Sequence, residues 1–150
     1  MPEAAEHSSG ELLAWSREQL NAAVDQLMRA GEFDWALVEA RPAWAYPGTT
    51  VIGQVREQGE HHRFLWVICG DPPVDFISSK VAATPREAAR HFAMKWQLEA
   101  ARNREPQVRN TLDPEGRRDW DALCDALEAR ASSLFKLIEV DALWSPTADR

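Results

Sequence analysis

Cysteine is scarce: the 150-residue chain has two, Cys69 and Cys124. That falls far short of a disulfide scaffold and fits a protein of the reducing cytosol. Long apolar runs are also missing. None approaches the roughly 18 residues that a membrane span needs, and the opening MPEAAEHSSGELLAW is acidic where a secretory signal would be basic. Basic charge is outnumbered, with 17 Lys and Arg against 24 Asp and Glu, for a net charge of −7. An acidic chain is poorly suited to coating DNA, RNA or an anionic membrane, so neither nucleic acid nor a membrane is expected as a partner. No repeat, low-complexity stretch or Pro/Gly-rich linker divides the chain. One domain over 1–150 is expected, with 1–8 and 146–150 as loose ends. Short catalytic signatures are missing too: there is no GxGxxG, GxxxxGKS, GxxxxGKT, GxSxG, HExxH or CxxC. The expectation is no catalytic residue, no metal and no cofactor.

What is present is a well-supplied core. Hydrophobic residues make up 45% of the chain and seven are Trp, too many for a disordered protein. Charge is banded. Residues 1–60 hold four basic and ten acidic side chains, and residues 86–118 hold eight and five. An acidic protein therefore carries one basic band, and 14 of its 17 basic residues are Arg. Arg favours paired contacts to carboxylate or phosphate over diffuse charge, although pairing with the acidic flanks would use the same side chains.

The periodicity changes along the chain. A first helix is expected from a Ser8–Glu11 capping box to Gly31, with Leu13, Leu20, Val24, Leu27 and Met28 as its apolar stripe and Trp15 off it. Strands are expected at Trp35–Ala40, which Pro42 ends or marks as an edge, and at Thr49–Arg56 and Arg63–Cys69 around a Glu57–Glu60 turn. Phe64, Trp66 and Ile68 point one way and Leu65, Val67 and Cys69 the other, so this last strand should be central. Val74–Ile77 would add a short fourth strand. Thr84, Pro85 and Glu87 then occupy the cap, first and third positions of a helix running to about Asn103. Its broad face is Ala88, Ala89, Phe92, Ala93, Trp96 and Ala100; a second stripe is Met94, Leu98 and Ala101. Asp113–Pro114 reads as the start of a further helix bearing Trp120, Leu123, Leu127, Ala131, Leu134 and Ile138. The fold class is α+β: a small antiparallel sheet of three to four strands packed against about three helices.

Several residue groups are candidates for chemistry. Asp71 and Asp75 flank Pro72–Pro73 after the central strand, as an acid/base or cation-binding pair would, and as a rigid turn would. Arg86 and Arg90 stand one turn apart at a helix start, which suits an anion or a pairing with those aspartates. Ser78, Ser79 and His91 with Asp71 or Asp75 contain the residue types of a hydrolase triad, but nothing marks an elbow or oxyanion hole. His61, His62, His91, Cys69 and Cys124 are metal-ligating types without metal-binding spacing. Trp66 and Trp96 fit core positions that join the sheet to the helix at Pro85. Trp15, Trp44 and Trp144 fit no inward stripe and, with Met94 and Leu98, are interface candidates.

The run Trp66–Ile77 (WVICGDPPVDFI), then Pro85–Phe92 (PREAARHF) and Lys95–Leu98 (KWQL), resembles a bacterial family known as domain of unknown function 4826. The likeness lies in a Trp-bearing strand, a Gly-Asp-x-Pro-x-Asp-aromatic-Ile loop, and a Pro-Arg-led helix with a Trp-Gln pair. Cys69 stands where such members commonly read Ser. The resemblance implies a small bacterial cytosolic protein and transfers no activity. It directs attention to Asp71, Asp75, Arg86, Arg90, His91 and Trp96 as one neighbourhood.

Two functions compete at this level. The first is a non-enzymatic interaction module, of immunity or inhibitor type or a homodimer burying Met94 and Leu98 with one of Trp15, Trp44 or Trp144. The alternative is a small enzyme or anion-binding protein using the 70–77 loop and the helix start at Pro85.

Overall fold

The structure is a computed structural model that describes residues 2–31, 37–57 and 64–145, with side chains at 10–31, 39–56 and 64–145. The described chain is α+β, with four helices and one four-stranded antiparallel sheet. It divides into two compact units, residues 1–88 and 89–150.

The first unit opens with helix α1 (Pro2–Arg29), which begins ahead of the expected Ser8 start. Pro2, Glu3, Ala4, Ala5 and Glu6 explain the extension: proline suits the first helical position, and acidic residues and alanines suit the first turns. The helix stops before Gly31, which takes φ +73° as a left-handed terminator. Its buried residues are Ser16, Leu20, Ala23 and Leu27, and the Ser16 hydroxyl donates to Leu12 O at 2.7 Å. The expected stripe is thus rotated. Leu13 and Met28 lie outside it, 46% and 41% exposed, while the small residues Ser16 and Ala23 are buried.

The sheet is a simple meander of β1 (Leu37–Tyr46), β2 (Thr50–Glu57), β3 (Leu65–Gly70) and β4 (Asp75–Ser78), paired in that order. β1 runs through Pro42, which is tolerated because β1 is an edge strand and the register shifts between Pro42 and Trp44. The β1–β2 hairpin turns on Pro47–Gly48, a turn dipeptide that the strand expectation did not use. β3 is central, as its two apolar faces require. Val51, Val55, Val67 and Cys69 face α1 and form a core with Leu20, Ala23 and Leu27. Ile52, Trp66 and Ile68, on the opposite face, are fully buried too. Trp66 donates its indole N–H to Ala82 O at 2.9 Å and meets the edge of Phe64 at 5.1 Å. Trp35, Arg63 and the turn at 58–60 lie outside the described residues.

Helix α2 (Pro85–Asn103) begins in the first unit and continues in the second. Its start follows the capping expectation: Glu87 N–H donates to Thr84 Oγ1 at 3.1 Å, and the Glu87 carboxylate accepts from Ala83 N–H at 2.7 Å.

The second unit adds α3 (Pro106–Leu112) and α4 (Trp120–Ile138). Here the sequence reading needs correction. Pro106 opens a helix of its own as well as ending α2. Asp113–Pro114 belongs to a turn, and the cap of the last helix is Asp119, whose side chain accepts from Ala122 N–H. Asp113 prefers the turn because its carboxylate accepts from Arg117 N–H, Arg118 N–H and the Trp120 indole. Ser132–Ser133 do not break α4, and Trp120, Cys124, Ala131, Leu134 and Ile138 are buried. Leu123 is the exception, 49% exposed.

Candidate interaction surface

The polar residues singled out in the sequence lie in the turn after β3, at the start of β4 and along α2. Asp71 is exposed in the turn after β3, where its backbone N–H donates to Thr49 O at 2.6 Å. The turn requires glycine beside it: Gly70 has φ +102°, and a Cβ there would run into the Thr49 carbonyl. Asp75 opens β4 opposite Ile68, and its Oδ1 accepts from Phe76 N–H at 2.8 Å. Arg86 is half-buried in the first turn of α2, in the first unit. Arg90 and His91 are exposed and belong to the second unit. Asp71 thus takes part in the turn through its backbone N–H, while Asp75 lies at the start of β4.

Metal-ligating types fare similarly. Among the described residues, no three of His, Cys, Asp and Glu are grouped to hold an ion. Cys69 and Cys124 are buried free thiols, and burial pushes the Cys69 thiol up to about 12. His61 and His62 lie outside the described residues. No described helix is long and apolar enough to cross a membrane.

The interface candidates separate into two groups. Trp15, Trp44 and Trp144 are half-buried. Trp15 packs against the α1–sheet core, and the Trp144 indole donates to Leu137 O at 2.8 Å. Trp15 and Trp144 thus make contacts within their own units. Met94 and Leu98 are 54% and 61% exposed. They are neighbours one turn apart on α2, while Phe92, Ala93, Trp96 and Ala100 of the same helix are buried. Ala101 extends the outer stripe and is exposed as well. Arg90 and Gln97 border this stripe on one side and His91, Lys95 and Arg102 on the other, all exposed.

A further surface feature lies within the second unit. Arg118, Asp119, Ala122 and Leu123 line an open depression of about 500 Å³ at the start of α4. The Arg118 guanidinium stands 5.5 Å from the Trp120 ring centroid. Sequence reasoning missed it because Leu123 sits at core spacing; only the exposure of its neighbours Ala122 and Asp119 could have hinted at a rim. Nearby, charged residues mostly satisfy one another. Arg104 donates to Asp125 at 2.7 Å and Glu128 at 2.9 Å, and Arg109 donates to Asp121 at 2.8 Å and to Asn103 O at 2.7 Å. The Arg109 guanidinium holds the Asp121 carboxyl below its usual range, and the Arg118 and Arg117 backbone N–H groups do the same for Asp113. This part of the basic band is therefore structural, as the intramolecular reading of its arginines expected.

Comparison with known proteins adds one finding. The profile of a family described as a domain of unknown function (DUF4826) matches residues 10–144. No curated protein and no solved structure matches the chain.

Proposed function

The chain belongs to the DUF4826 family, and on that premise we propose that it is a non-enzymatic protein-interaction module working through the outer face of α2. The observation that carries this reading is the exposure of Met94 and Leu98, one turn apart on a helix whose other face buries Phe92, Ala93, Trp96 and Ala100. Withdrawing such side chains from water is worth up to about 1.5–3 kcal/mol each, the scale of a reversible contact. A bacterial cytosolic setting suits the two free, buried thiols.

The test compares the wild type with Leu98→Glu as bait in native lysate, at low and high salt, alongside sedimentation of each protein alone. A stoichiometric partner, or self-association, that the wild type shows and Leu98→Glu loses supports the reading. Identical behaviour of the two proteins, or no association by either, overturns it.

A further inference from the structure

The charges bordering the α2 stripe bear on what covers it. Arg90, His91, Lys95 and Arg102 are exposed around Met94 and Leu98, while the acidic residues of α2 are Glu99 and, engaged in the capping box at its start, Glu87. The surrounding chain has the opposite sign: the net charge is −7 although residues 86–118 carry eight basic and five acidic side chains. The face is thus apolar along its centre, basic at its borders, and set in an acidic protein.

Resting on the interaction reading above, we infer that the occupant of this face is an acidic amphipathic helix of another protein. Its apolar residues, spaced three and four apart, lie along Met94, Leu98 and Ala101, and its carboxylates meet Arg90, Lys95 and Arg102. Arg is suited to that role because its planar fork accepts a carboxylate with two parallel hydrogen bonds. Charge disfavours the other occupants. In an antiparallel self-pairing that sets Met94 against Leu98 of a second copy, each border of the stripe meets the same border of the other copy, so Lys95 falls beside the second copy's Lys95 and like charges meet across the two-fold axis. A polyanionic surface such as DNA or an anionic bilayer is disfavoured by the net charge of −7. A single helix is narrow enough to contact the basic borders alone.

The experiment uses the intact chain and two synthetic helical peptides with the same leucine stripe, one bordered by Glu and the other by Lys, followed by fluorescence anisotropy. The Glu peptide is expected to bind in the micromolar range, weakening as salt rises. Leu98→Glu should weaken it at least about tenfold. Lys95→Glu combined with Arg102→Glu should reverse the preference toward the Lys peptide, a result that mere misfolding cannot produce. Preference of the wild type for the Lys peptide, equal binding of both, or tighter binding to phosphatidylglycerol vesicles or duplex DNA overturns the inference. If neither peptide binds while Leu98-dependent association persists in lysate or in sedimentation, the acidic-helix occupant is wrong and the interaction reading stands. If that association is absent too, both fail.

Discussion

Leu20 of α1 occupies the space that a side chain at Gly53 of β2 would need. A Cβ built on Gly53 would overlap the Leu20 methyl groups and stand 3.0 Å from the Arg41 carbonyl oxygen. The missing side chain in the middle of β2 is what lets α1 lie against the sheet, and Leu20 is left 1% exposed.

Gly53→Ala should therefore destabilise the protein by about 1–3 kcal/mol, the usual cost of overpacking. Urea melts give the value. Because the conflict is with one partner, Leu20→Val combined with Gly53→Ala should cost less than the two single changes added together. Strict additivity would show that Leu20 is not the obstacle.

Trp66 and Trp96 are both buried. Truncating either to Ala should cost about 3–5 kcal/mol. Trp66→Phe should also be felt, since it leaves Ala82 O without the indole donor. Losses below about 1 kcal/mol for both Ala variants in denaturant melts would contradict their core role.

The exposure of Leu98 makes the opposite prediction. Leu98→Glu should change stability by no more than about 0.5 kcal/mol and leave the circular dichroism spectrum intact. Phe92→Glu, one and a half turns away on the buried face, should unfold the protein. Equal damage from both would mean that the outer stripe is internal.

Acid should find a weak point at the start of α4. Asp113 and Asp121 have folded-state carboxyl groups held below the ordinary value of 3.8, Asp113 by backbone N–H donors and Asp121 by Arg109. A depressed folded value means that the stabilisation is fully present above the unfolded value, near pH 4, and is lost as pH falls through the folded one. Asp113→Asn should flatten the fall of melting temperature below about pH 4. An unchanged acid limb would remove Asp113 from the account.

The thiols should be inert in the folded state. Cys69 and Cys124 are 2% and 1% exposed, and burial pushes the Cys69 thiol up to about 12. Both side chains are shut off from solvent, so both should resist an aromatic disulfide reagent at neutral pH and react together in urea. Rapid labelling of the native protein would indicate opening of these cores.

Much of the local structure is legible in the residues. Thr84, Pro85 and Glu87 mark the start of α2, and Pro106 its limit, because capping is chemistry between near neighbours. The two apolar faces of β3 announce a central strand. The outer stripe of Met94 and Leu98 is visible from helical spacing. Legibility fails where one residue type serves two structures equally well. Asp113–Pro114 is as good a helix start as a turn, and only the donors that Arg117, Arg118 and Trp120 bring to the carboxylate decide between them. Pro42 could have ended β1, and the pairing of β1 with β2 on one side alone makes it tolerable.

Spacing, capping and composition were enough to settle the fold class, the borders of β2, β3, β4 and α2 to within two residues, and the presence of a second apolar stripe on α2, because each acts over a few residues. Which stripe stays in water was settled by packing. Leu123 and Leu98 both recur at core-like intervals, and both are exposed. Trp15 and Trp144, off any stripe, bury much of their rings or bond their indoles to backbone within their own units. Burial depends on what the rest of the chain brings to a face, and that is a property of distant residues which no local pattern contains.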